Sequence, residues 1–357
     1  IQSTDNVFDL SDVITEMSGT QEINGVQYAY ADVTINDGQY FTFAAYVQAP
    51  GGVTTNISHW YRADKFAMSG GEGTDVTSWT DFTSGVVSEE INGAPLPKFK
   101  AGDATYFNFN PGLNFTAIQQ MLGNITERTL TATDFNIFTM TRQGMGGTRY
   151  FNIGMNNTTF GGGNWDQPGL YANGDIGYRD NAGGGLVIAN PGNINFATGN
   201  PSIMYHNFSN TSMNKGLNGA ATGTSSSYSA RGLTTGGHIF GSNGGVNPPG
   251  GDDWGFTGDI GELVIYGNGT ITAAERNKVE SYLAVKYGIT LHNSNNYTTS
   301  RNAVIWDATA NAAYYNNVAG IGNDFISALH QKQSRSQHTN TNGQVIIALG
   351  EIAATNM

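Results

Sequence analysis

The chain has 357 residues, enough for one large domain and additional smaller pieces. Its 28 acidic and 16 basic residues give a formal net charge of −12, which argues against nucleic acid as a partner. Cysteine is absent, so thiol catalysis and cysteine-ligated zinc or iron–sulfur centres are excluded.

Charged residues are only 12% of the chain and glycines number 49, so Asn, Thr, Ser, Gly and Tyr must cover the surface. That composition suits an all-β protein with many tight turns. An acidic, Asn-rich surface is compatible with calcium, which prefers carboxylate and amide oxygens. No apolar run approaches the roughly 18 residues of a membrane span. The opening IQSTDNVFDL has neither a basic stretch nor an apolar one, and it lacks an initiating Met. The expectation is a mature segment or fragment of something longer, without a signal peptide. Freedom from cysteine fits an extracellular bacterial setting.

Along the chain, short alternating runs predict strands: VQYAYADVTI (26–35), QYFTFAAYV (39–47), FNIFTMTR (135–142), TRYFNIGM (148–155) and ELVIYG (262–267). Asn-Gly pairs at Asn24, Asn92, Asn173, Asn218, Asn243, Asn268 and Asn342 favour the positive φ angles of hairpin turns. This spacing suits a sandwich or jelly roll. From about Gly144 to Gly251 the chain is rich in Gly, Asn and Ser, and it reads as long connecting loops that either link strands or form a binding face. TITAAERNKVESYLAVKYGITL (270–291) predicts one helix. Thr272 is the N-cap, Glu275 completes a capping box, and Gly288 follows the last turn. Val279, Tyr282, Leu283 and Lys286 recur at helical spacing, so this face must pack on a sheet.

Three stretches carry a resemblance. FTGDIGELVIYGNGTITAAERNKVESYLAVKYGITL (256–291) resembles the closing segment of concanavalin A-like, laminin-G-type lectin/glucanase domains. HWYRADKF (59–66) and VTSWTDFTS (76–84) resemble two strands near the opening of such domains. The resemblance covers about residues 52–291. It implies an all-β jelly-roll β-sandwich with one short capped helix at its C-terminal end. The YLAVKYGITL variant resembles repeats of large Bacteroidota surface proteins exported by type 9 secretion, in which a second β-rich module follows the helix. Residues 296–336 look like the start of that module, with Ile321, Gly322, Asn323, Asp324 and the run Leu329–Ser334 on its motif; Asn323 replaces the usual Arg. DVTINDGQYFTFAAYVQAPGGV (32–53) resembles the module's last strand. The resemblance thus implies terminal strands of one module in 1–50, a sandwich in 51–292, and the start of a second module in 293–357. The two ends would be complementary halves, completed by neighbouring copies or repeats; otherwise each packs on the sandwich, or they pair with each other inside one chain.

The residues offer little for catalysis. No pair of carboxylates alternates as a glycosidase strand requires, EGTD (72–75) and 251–262 being the nearest stretches. The six His show no zinc-hydrolase spacing, and no G-x-S-x-G elbow exists. The expectation is a non-enzyme. Sugar binding needs an aromatic platform beside amide or carboxylate groups, which makes Trp165, Asp166, Gln167 and Trp254 candidates for ligand binding. Asp252, Asp253 and Asp259 fall within eight residues among glycines and are candidates for calcium. Trp60, Trp79 and Trp306 are expected in the core, Asp64 and Asp81 at strand-end turns, and Glu262 within the strand pattern. The expected function is a structural and adhesive segment of an extracellular surface protein, with a glycan or surface as partner. A discrete carbohydrate-binding module is the alternative, and a glycosidase of the same fold comes after it.

Overall fold

A computed structural model describes residues 1–4, 13, 15, 17, 19–42, 47–65, 71–91, 93–116, 120, 122–124, 134–147, 149–155, 169–171, 176–179, 186–189, 199–209, 212–225, 237–241, 256–267, 269–292, 294–337 and 346–356. Two compact units are present, Ile1–Val47 and Gln48–Met357. In the first, Gly19–Ile23 and Val26–Tyr30 form a hairpin, and Gln2–Ser3 pairs with Tyr40–Phe41. The hairpin turns at Asn24 and Gly25, both at positive φ, as the Asn-Gly pair predicts.

The second unit is a sandwich of two eight-stranded antiparallel sheets. In one, Phe256–Tyr266 is central. One of its edges pairs with Phe135–Gly147; the other is shared by Gly112–Phe115 and Ile57–Arg62. The opposite sheet runs in space from Leu186–Ala189 through Arg149–Met155 and Gly237–Phe240 to Ser78–Thr80. This is the all-β sandwich with one capped helix that the sequence predicts. Arg149–Met155 is the strand that TRYFNIGM predicts, but the rest of the Gly-rich middle departs from expectation, because much of it is strand: Gly169–Tyr171, Ile176–Arg179, Leu186–Ala189, Pro201–Ser209, Ser212–Leu217, Ala220–Ser225 and Gly237–Phe240. Sheet neighbours supply the pairing that local composition does not advertise, which is why strand propensity is a weak guide. Within it, Asn218 and Gly219 make a second predicted hairpin turn.

Alternation along the strands separates two cores. Tyr61, Ile137, Met204, Leu263 and Ile265 point between the sheets, where they meet Trp79, Leu122, Phe151 and Phe240. Trp60, Phe138, Met140, Ile203, Val264 and Tyr266 point the other way, onto the helix. One irregularity matters. The register between the two long strands slips between Met140 and Thr141, leaving Gly261 as an extra residue in the central strand. Such a bulge reverses the facing of what precedes it. Ile260 thus lies in the inner core, while Asp259 and Glu262 share the helix-bearing face.

The helix, Ala273–Tyr287, has the predicted capping box: Glu275 N–H donates to Thr272 Oγ1 at 3.2 Å, and Glu275 Oε2 accepts from Thr272 N–H at 2.8 Å. Val279, Tyr282, Leu283 and Lys286 are buried as expected, but so are Glu280, Ser281, Ala284 and Tyr287. A helix buried on several faces has partners on several sides. Here they are the sheet on one side and residues 297–337 on the other, represented by Tyr297 and Leu329. The helix end is sealed by side chains. Asn108 and Asn110 donate from Nδ2 to the Lys286 carbonyl at 3.1 and 2.6 Å, satisfying an acceptor the helix cannot satisfy itself. Gln48 Nε2 donates to the Phe325 carbonyl at 2.7 Å and Ala49 N–H to the Ile326 carbonyl at 3.1 Å, so the unit's first residues meet its last third. Among the described residues no helix is long and apolar enough to cross a membrane.

Gly288 closes the helix at φ 65°, and a Cβ there would collide with the Arg335 carbonyl oxygen. Gly288→Ala is therefore expected to destabilise the chain by more than the ~1 kcal/mol usual for a left-handed alanine, read as a shift of the urea midpoint at unchanged slope.

Candidate functional site

The motif residues that carry the sequence resemblance converge on one buried cluster. Glu262 is fully buried. Its Oε1 accepts from Trp60 Nε1 at 2.5 Å and from the Tyr282 hydroxyl at 2.9 Å; its Oε2 accepts from Lys286 Nζ at 2.7 Å and the Tyr287 hydroxyl at 2.9 Å. Lys286 reaches a second carboxylate, Asp64, at 3.2 Å. Arg62 grips Asp64 through Nε at 3.0 Å and NH2 at 2.7 Å, and donates to the Ala328 carbonyl at 3.0 Å. The Arg62 guanidinium lies 4.7 Å from the Trp60 ring centroid. Two cations thus meet two anions, supplied by Ile57–Arg62 and the turn after it, the central strand and the helix, with the Ala328 carbonyl accepting from Arg62.

The electrostatics are those of an ion cluster held for structure. Burial alone would raise the Asp64 carboxyl, but Lys286 and Arg62 outweigh it and hold the group well below the usual carboxylate range. Burial likewise opposes the charge on Arg62, yet Tyr282, Asp64 and Glu262 keep its pKa raised. The Tyr282 and Tyr287 hydroxyls are pushed far up, first by burial and then by the neighbouring carboxylates, apart from Arg62, which opposes this at Tyr282. Glu262, Arg62 and Lys286 are buried and only the Asp64 side chain is partly exposed, and its carboxylate is taken up by Arg62 and Lys286. Sequence reading placed Glu262 in the strand pattern, which it is, and missed that it organises the cluster. The available signal was a charged residue inside each apolar motif: Arg62 and Asp64, Glu262, and Lys286.

Asp81 holds a turn, as expected. Its carboxylate accepts from Trp60 N–H at 2.9 Å, Thr83 N–H at 2.8 Å and Ser84 Oγ at 2.6 Å, and stands 2.6 Å from His59 Nδ1. Burial pushes against its charge, but the His59 contact and these donors keep its pKa lowered. Asp64 differs from expectation: it serves an ion cluster rather than a turn cap. His238 lies 2.8 Å from Ser88 Oγ and 2.9 Å from the Tyr61 hydroxyl, but all three are buried between the sheets. Trp60 and Trp79 are core, and Trp306 packs against the helix-side cluster.

An accessible polar cleft opens on the helix-bearing face, past the helix end. It has a volume of about 220 Å³. Thr105 comes from a turn, Arg142 from the long strand Phe135–Gly147, and Gly199, Asn200 and Pro201 from the start of the strand Pro201–Ser209. Arg335, Ser336 and Gln337 close it from the C-terminal segment. Arg142 is fixed by Nε donating to the Gly199 carbonyl at 2.5 Å, and its guanidinium lies 3.6 Å from Asp259. Arg335 NH1 and Gln337 Nε2 both donate to the Ala104 carbonyl, at 3.4 and 3.0 Å.

Of the predicted site residues, Trp165, Asp166, Gln167, Trp254, Asp252 and Asp253 lie outside the described residues. Asp259 is described. Its Oδ1 accepts from Asn114 Nδ2 at 2.5 Å and its Oδ2 faces Arg142, so its carboxylate is engaged within the protein. Burial raises its pKa, with Asn114, Lys100, Tyr106 and Arg142 opposing. Tyr106, buried beside it, is pushed up by burial and then by the Asp259 charge. Among the described residues no group of three or more His, Asp or Glu is placed to hold a metal ion.

A family model described as a domain of unknown function, DUF8202, matches residues 275–357, from the first turn of the helix onward. No curated protein matches. Among solved structures, domain 4 of AbnA, a GH43 extracellular arabinanase from Geobacillus stearothermophilus, in complex with arabinotriose, aligns over 64% of this chain and 98% of its own, at 13% identity and TM-score 0.41. The Trypanosoma rangeli sialidase with sialic acid aligns over 64% of this chain at 10% identity and TM-score 0.40. An arabinofuranosidase complexed with arabinofuranosyl-alpha-1,2-xylobiose aligns over 60% at 13% identity and TM-score 0.41. The chain spans a third of the sialidase (33%) and about half of the arabinofuranosidase (51%). The likeness is one of β-rich architecture.

Two outcomes test the buried cluster. Glu262→Gln, which leaves Lys286 without one of its two anions, is expected to cost about 3–5 kcal/mol in urea unfolding. The double change Glu262→Leu with Lys286→Met should recover a large part of that loss. For pH, the depressed Asp64 pKa contributes stability that is complete above its unfolded value of about 3.9 and is lost as pH falls through the lower folded value. The melting temperature should fall from about pH 5 toward pH 2, and Asp64→Asn should flatten part of that fall by lowering the upper plateau.

Proposed function

We propose that the chain is a non-catalytic segment of a large extracellular bacterial surface protein, serving reach and adhesion, and that neighbouring copies or repeats cover its apolar ends. The observation that carries this reading is the exposure of apolar strand residues in both end regions. In the hairpin of the first unit, Ile23, Val26, Tyr28 and Tyr30 share one face, and Tyr28 is 51% exposed. In the C-terminal region Val304, Ile305, Ile346 and Ile347 are exposed on the two-stranded sheets Tyr297–Thr298/Val304–Trp306 and Gln333–Arg335/Ile346–Ala348, with Ile305 at 57%. Two-stranded sheets are marginal by themselves, and open apolar strands recruit further strands. A second copy, which carries both kinds of surface, is the partner they fit. The resemblance to repeats of type 9-exported surface proteins supports the same reading.

The absence of catalysis is supported by how the described buried carboxylates are used. Glu262 and Asp64 serve the ion cluster, Asp81 a turn, Asp259 an amide and an arginine, and Glu280 the Arg276 guanidinium at 2.9 Å. None of these faces another across an open groove as glycoside hydrolysis requires. A carbohydrate-binding module is the second reading, favoured by the polar cleft.

Sedimentation velocity across a concentration range tests the assembly. The mass is expected to rise with concentration. Tyr28→Glu and Ile305→Glu, each at an exposed site, should each weaken association about tenfold or more without moving the main thermal transition. A single monomeric species throughout the range would sink the reading.

A further inference from the structure

We infer that the cleft between Arg142 and Arg335 is a binding site for the carboxylate of an acidic sugar residue, a uronic acid unit within a polysaccharide. Charge comes first. The protein carries a net −12, so a concavity holding two guanidinium groups runs against its own field. Arg142 has Asp259 beside it at 3.6 Å, but Arg335 has no carboxylate partner among the described residues. Of the five N–H donors a guanidinium carries, Arg335 commits one among the described residues, to the Ala104 carbonyl at 3.4 Å. The remaining donors belong to a group whose planar fork matches a carboxylate.

Position comes second. Arg142 is held at its guanidinium, Nε donating to the Gly199 carbonyl; Arg335 is held at its backbone N–H, which donates to Asn108 Oδ1 at 2.6 Å, and at NH1, which donates to the Ala104 carbonyl at 3.4 Å. Fixed donors lose little freedom when a ligand arrives. The cleft needs both the sandwich and the C-terminal segment, since Arg142 and Arg335 come from different parts of the unit.

Size and lining decide the ligand class. At about 220 Å³ the cleft is smaller than the ~300–1,000 Å³ of typical organic-ligand sites, so it takes one ring or one end group rather than an extended cofactor. Among the described lining residues Pro201 is the only apolar side chain. The hydroxyls of Thr105 and Ser336 and the amides of Asn200 and Gln337 surround the two cations, and Asp103 accepts from the Thr105 hydroxyl at 2.7 Å. Hydroxyl and amide groups around paired arginines suit a polyhydroxylated acid. A peptide would bring apolar side chains, for which the described lining offers Pro201 alone.

Calorimetric titration of the whole chain with digalacturonate tests the site, with neutral galactobiose, inorganic sulfate and tetraglutamate as the other arms. Digalacturonate is expected to bind and the other three to bind at least tenfold more weakly. Arg335→Gln should weaken digalacturonate about tenfold or more, with Arg335→Lys between it and the parent. Asn200→Asp, which puts a negative charge at the mouth, should weaken it too and serves if Arg335→Gln does not fold. Sulfate binding as tightly as digalacturonate would replace the sugar site by a simple anion site. Equal binding of galactobiose or tetraglutamate, no binding of digalacturonate, or no effect of the variants would overturn the inference. The cleft is independent of contacts between copies, so a monomeric chain that binds digalacturonate would sink the assembly reading alone.

Discussion

Glu262 is a carboxyl group with no access to water, and the fold is arranged around supplying it with hydrogen-bond donors. An unpaired buried carboxylate costs several kcal/mol, so the structure must deliver donors to it from every side. Trp60 brings one from the neighbouring strand, Tyr282, Lys286 and Tyr287 bring three from the helix. Lys286 in turn needs Asp64, and Asp64 needs Arg62, whose last bond goes to Ala328 in the C-terminal region. The chain of requirements ties sheet, helix and C-terminal segment into one body. A buried ion cluster of this kind fixes geometry rather than adding much net stability, because misaligned alternatives strand a charge.

The helix becomes intelligible in that light. A β-sandwich already buries the inner faces of its sheets, so a helix is needed only where an outer face is also apolar. Phe138, Met140, Val264 and Tyr266 make the outer face of one sheet apolar, and the helix covers it. The helix is then too buried to be a lid, and residues 297–337 cover its far side. Asn108 links the three layers: its Nδ2 bonds Lys286 O and Ser334 Oγ while its Oδ1 takes Arg335 N–H. The same loop region that seals the helix end positions Arg335 over the cleft, so packing and the candidate site share parts.

The contrast between buried and accessible polar groups separates architecture from recognition. Arg62, Asp64, Glu262 and Lys286 pair with one another inside the protein, with Arg62 NH1 the one donor of the cluster that makes no hydrogen bond among the described residues. Arg142 and Arg335 sit where water reaches and keep donors unspent. Exposed apolar strands at the two end regions are a third category, surface that burial inside one chain does not explain.

Local signals read from sequence were those whose physics is local. The Thr272–Glu275 capping box, Gly288 at the helix end, the Asn24 and Asn218 turns and the period-2 runs at 135–142 and 262–267 all depend on residues within a few positions of each other. Trp60 and Trp79 were legible as core because a large ring in a strand motif has few other homes. Beyond Arg149–Met155, the strands in the Gly-rich middle were not legible, since their stability comes from sheet neighbours rather than from local composition. The cleft was not legible either: Arg142 and Arg335 are separated by most of the sandwich and show no common motif. By itself, then, the sequence determined the all-β class and the helix with its caps. Only the tertiary structure decided which charges meet, because a one-residue bulge at Gly261 sets which face of the sheet Glu262 and Asp259 occupy, and facing is a property of pairing that no single strand encodes.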